Sequence, residues 1–128
     1  MKSLVAVAVG LVASSAAGAA PPVSFSKDIA PVLKTRCASC HLTGKEAGNI
    51  ALHPAAAYAN LVKVKSTGAA LARVAPGAPD KSYLMLKLDG THLAAGGKGV
   101  RMPMAAAPLD AATLDRFRAW IKAGAPNN

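Results

Sequence analysis

Cys37, Cys40 and His41, within the run Cys37-Ala38-Ser39-Cys40-His41, are the residues of this 128-residue chain best suited to chemistry. A thiol pair with two residues between, followed at once by an imidazole, is the attachment pattern for c-type haem. Each thiol adds across one haem vinyl group to give a thioether, and one turn of backbone brings both sulfurs to the same ring. The adjoining imidazole then ligates the iron from the proximal side. Other uses of the same residues fit less well. A thioredoxin-like dithiol requires a βαβ surround, which the sequence lacks. A zinc site needs further Cys or His at ligand spacing, and His53 and His92 supply no regular set.

The start of the chain bears on the redox setting. Met1 and Lys2 precede an apolar run from Leu4 to Val12, broken only by Gly10, and then small residues through Ala19. This is the layout of a secretory signal peptide over residues 1–19, cleaved at a small-x-small site, Ala17-Gly18-Ala19. The apolar run falls short of the ~30 Å a membrane span must cover. Residues 20–128 are then expected outside the cytoplasm as one domain, with periplasmic localisation and no stable membrane insertion. In an oxidising compartment a lone cysteine pair ordinarily becomes a disulfide, and haem attachment is the alternative that also employs His41.

Composition narrows the function further. The chain holds one Trp, two Tyr and two Phe, so a covalently held apolar macrocycle would fill much of its interior. Net charge is +9; loss of Lys2 and addition of two propionates would bring it to about +6, a balance that favours acidic partners through long-range steering. Nucleic acid is not the expected partner, because the basic residues are scattered singly and no aromatics interleave them. Gly96-Gly97-Lys98-Gly99 lacks the spacing of a phosphate loop and reads as a flexible surface loop.

The elements that must position the motif read as helices and loops. Ile29, Val32, Leu33 and Cys37 repeat at helical spacing, with Ser26 as the expected N-cap, Asp28 near the positive helix start, and Pro31 awkwardly deep. A loop from Leu42 to Pro54 follows, then a helix through Ala55, Tyr58, Leu61 and Val62 opened by Pro54. Asp80 is the expected cap of a short helix holding Tyr83, Leu84, Leu86 and Leu88 and stopped by Gly90. Thr91 to Pro108 reads as a long loop. Asp110 caps the last helix, whose Leu114, Phe117, Trp120 and Ile121 form an apolar stripe ending at Gly124.

Taken together, FSKDIAPVLKTRCASCH … RMPM … PLD … FRAWIKAGAP resembles the class I c-type cytochromes, and more narrowly the small single-haem domains of bacterial periplasmic proteins. The likeness extends over residues 23–126 and is specific at its two ends. It implies an all-α, cytochrome c-like fold of about four short helices around covalent haem c, in which the first and last helices cross and the haem sits in a crevice. It also implies His41 and a loop methionine as axial ligands, and Met102, followed by Pro103, fits that place. Met104, His92, Met85 and His53 remain as alternatives. The proximal imidazole in this family donates to a proline carbonyl, for which Pro54 is the candidate, and Arg101 and Lys98 are candidates for holding propionates.

A six-coordinate iron transfers electrons without opening a substrate site, so the implied activity is one-electron carriage rather than catalysis. A monomeric shuttle between redox proteins is the leading expectation. A dedicated haem subunit of a periplasmic oxidoreductase, or a haem sensor or enzyme with an open sixth position, are the alternatives.

Overall fold

The computed structural model describes residues 18–128, so the expected leader lies outside the described residues through position 17. Ser24, two residues before the expected cap, opens the first helix. Its hydroxyl accepts from the Lys27 amide at 3.2 Å, and its own amide donates to the Asp28 carboxylate at 2.7 Å. Ser26 instead gives its amide to the Asn128 carbonyl at 2.8 Å. The first turn, Phe25–Ile29, is wound wide as a π-helix and continues into α1, Ala30–Arg36. The widening accommodates Pro31, which has no N–H to donate and whose ring would crowd the preceding turn of a regular helix.

α2 spans Pro54–Leu61, α3 spans Tyr83–Asp89 and α4 spans Ala111–Lys122, with 3-10 turns at Pro79–Lys81 and His92–Ala95. Among the described residues there is no β-strand, only two isolated bridges, Val62 with Val74 and Lys65 with Ala72. The helical class expected from the sequence holds. Asp80 does not cap α3; it sits within the 3-10 turn. Ser82 occupies the N-cap position but turns its hydroxyl back to the Ala75 amide at 2.9 Å and the Ala78 carbonyl at 2.9 Å. Gly90, at φ +79°, closes α3 in the left-handed conformation that glycine adopts without strain.

α4 packs against α3 and against the Phe25–Ile29 turn, which places the last helix beside the first. Phe25, Tyr58 and Trp120 meet there, with Phe25 5.2 Å from Tyr58 and 5.3 Å from Trp120 between ring centres. The polar tips of two of these rings tie down the tail: Tyr58 donates to the Ala125 carbonyl at 2.8 Å, and the Trp120 indole to the Pro126 carbonyl at 2.9 Å. Ile29, Leu33, Leu61, Met85, Phe117 and Ile121 complete the core around them. No helix among the described residues is long and apolar enough to cross a membrane.

Candidate functional site

Where α1 ends, the backbone turns once more. The Leu33 carbonyl accepts from both Cys37 and Ala38, and the Cys37 carbonyl then accepts from Cys40 at 3.2 Å and His41 at 3.0 Å. This single turn gathers both thiols and the imidazole onto the wall of a cleft of about 800 Å³. Such a volume lies in the range of small-molecule and cofactor sites, ~300–1,000 Å³. Ile50, Leu52, Leu61, Leu84, Leu88 and Val100 make the cleft apolar, and Met102 and Met104 line it as well. The two cysteines are free thiols in different surroundings: Cys40 is exposed, whereas burial pushes the Cys37 thiol up to about 11 against the opposing pull of Arg36.

His41 is anchored through its backbone, its carbonyl accepting from the Leu52 amide at 2.8 Å. Its Nδ1 is buried without a hydrogen-bond partner, while its Nε2 is not occluded. The expected bond from His41 to the Pro54 carbonyl is therefore not formed. Pro54 opens α2 instead, where its missing N–H costs nothing.

Of the sulfur and imidazole alternatives, only the two loop methionines reach the cleft. Met102 is partly buried against the core, and its amide donates to the Lys87 carbonyl at 2.9 Å. Met104 is 61% exposed, at the mouth. Met85 belongs to the core, and His53 sits at the start of α2, where its carbonyl accepts from Ala56 and Ala57. His92 is buried outside the cleft lining, with Nε2 2.9 Å from the Gly99 carbonyl. Because a carbonyl only accepts, Nε2 is the protonated nitrogen and has no lone pair for a metal.

Of the two candidates for holding propionates, Lys98 lines the cleft and Arg101 does not. The Arg101 stem lies across Gly90 beside a separate shallow pocket. The residue that sequence reading missed is Arg73. It is buried on the cleft wall and donates to the carbonyls of Asn60, Gly48 and Asn49, each at 2.9 Å. Neither ion pair of the described residues involves it, and burial pulls the guanidinium below its ordinary value. A lone arginine in Leu71-Ala72-Arg73-Val74 carries no sequence signal for this role.

Gly97 also departs from the expected loose loop. A Cβ there would lie 2.6 Å from the His92 carbonyl and 2.8 Å from the Tyr83 ring, so the segment is seated tightly against α3 and admits no side chain. Among the described residues no three His, Cys, Asp or Glu side chains gather as a metal-binding set. Compared with protein families, curated proteins and solved structures, the chain matches none.

Proposed function

We propose that this chain is an exported one-electron carrier of the class I c-type cytochrome kind, with one haem c joined to Cys37 and Cys40. The observation that carries the reading is the convergence of Cys37, Cys40, His41 and Met102 on one apolar cleft of about 800 Å³. A flat macrocycle with an apolar body suits those walls, and the buried, acid-free Arg73 suits the carboxylates at its edge. The His41 Nε2, which is not among the buried unpartnered atoms and has no hydrogen bond, suits a nitrogen that faces an iron.

In this reading Cys37 and Cys40 would hold the haem as thioethers, each thiol adding across one vinyl group so that sulfur takes one carbon and the thiol hydrogen the other. No oxidant is needed and nothing leaves. His41 presents Nε2 and Met102 its thioether, a soft donor that favours the ferrous state. Bound there, haem supplies a reversible one-electron couple. The chain's own work would be to hold His41 and Met102 in place and keep water from the apolar interior. Val100 and Met104, exposed at the cleft mouth, with Arg36 and Lys98 on the same rim, form the surface proposed to meet an acidic redox partner.

The test is the protein matured in a periplasm competent for haem attachment. The expected product carries one haem by mass, shows Soret absorption, and when oxidised has the sulfur-to-iron charge-transfer band of methionine ligation. Met102→Ala should remove that band, and Cys37→Ser with Cys40→Ser should abolish attachment. A bare-polypeptide mass without Soret absorption sinks the proposal.

A further inference from the structure

The segment that carries Met102 has no regular structure, yet nearly every residue from 98 to 102 is held by α3 or the turn after it. Tyr83 Oη accepts from the Lys98 amide at 3.1 Å. His92 Nε2 donates to the Gly99 carbonyl at 2.9 Å. Lys87, one turn after Tyr83 on the same helix face, does more than either. Its Nζ donates to the Lys98 carbonyl at 2.9 Å and the Val100 carbonyl at 2.5 Å, while its own carbonyl accepts from the Met102 amide at 2.9 Å. One residue thus grips the segment at three points, upstream through its side chain and at the methionine through its backbone.

An ammonium spent on two carbonyls is unusual for a lysine beside open solvent. Neither ion pair of the described residues involves Lys87, and partial burial lowers its proton affinity. Such a group gives up water, and the return is a loop of fixed path. From the far end Arg36 adds one bond, to the Ala107 carbonyl at 2.8 Å, so the methionine loop is suspended between two cations.

We infer that Lys87 is a positioning residue for Met102, its clamp on residues 98–102 holding the thioether toward the cleft. The inference rests on the haem reading above, and the experiment separates the two. Haem-loaded wild type is compared with Lys87→Leu, which keeps an apolar stem, removes the donors and adds no ligand to the cleft that Lys87 lines, and with Lys87→Arg, whose guanidinium can also span two carbonyls. Lys81→Met, at an exposed lysine outside the cleft, controls for lost charge.

Lys87→Leu is expected to keep haem by mass and Soret absorption but to weaken the sulfur-to-iron band. Its affinity for added imidazole should rise about tenfold, as the population with Met102 detached increases. Lys87→Arg should restore the band, and Lys81→Met should match wild type. An unchanged band and imidazole affinity in Lys87→Leu overturn the clamp, as does an equal change in Lys81→Met. Should Lys87→Leu not accumulate, Lys87→Ala, which also has no side-chain donor, is read in the same way, and an unaltered band there is decisive against the clamp. Wild type without haem sinks the haem reading instead.

Discussion

Cys37 and Cys40 differ in exposure because one turn of backbone sends them into different surroundings. A thiol reacts as its thiolate, and burial raises the energy of that charge. With Cys37 pushed up to about 11, haem-free protein at neutral pH should be alkylated by iodoacetamide at the exposed Cys40 first. Labelling of Cys37 should follow as pH nears 11, or sooner if the chain opens. The same shift means the fold loses support as pH rises from 9.0, where an unfolded thiol ionises, through about 11. Peptide mapping by mass at a series of pH values checks both statements, and equal labelling of the two thiols at pH 7 contradicts them. The motif itself was legible because its five residues are contiguous. The unequal thiols were not, since burial of Cys37 depends on residues far along the chain.

Among the elements, α4 was read most closely from sequence and the start of the chain least. Asp110, whose carboxylate accepts from the Thr113 amide at 2.7 Å, caps α4 as expected, and Phe117, Trp120 and Ile121 are buried as the stripe implied. Asp110→Ala should lower stability by removing the cap, and Phe117→Ala should lower it more, by ~3–5 kcal/mol, by emptying a core position. Thermal or denaturant unfolding gives both values, and equal costs would mean that α4 is held by something other than its apolar face. Ser26 and Asp80 were misassigned as caps for a common reason. Several polar residues precede each helix, and long-range partners decide which is used. The Asn128 carbonyl takes the Ser26 amide, and residues 75–78 take the Ser82 hydroxyl.

At the scale of the whole molecule, charge and cleft act together. Lysines and arginines outnumber acids 15 to 6, and the apolar mouth at Val100 and Met104 lies beside Arg36 and Lys98. Under the proposed function, electron transfer with an acidic partner should slow as ionic strength rises and the screening length falls below ~10 Å. Stopped-flow rates across a salt series measure this, and a rate indifferent to salt removes the steering argument. Arg73 shows what composition conceals. Among the described residues it is a buried cation with no ion-pair partner, joining the 48–49 loop to the end of α2 through three carbonyls.

By itself, the sequence determined the helical class, the approximate places of the four helices and the contiguous thiol–imidazole turn. Those features depend on residues a few positions apart, where periodicity and turn preference act. Only the tertiary structure decided that Met102 and Met104 reach the cleft while His92 spends its Nε2 on Gly99, and that Arg73, Tyr83 and Lys87 serve the loops around it. Such roles arise from backbone carbonyls and amides, which every residue carries alike, so side-chain identity along the chain gives no sign of which ones will meet.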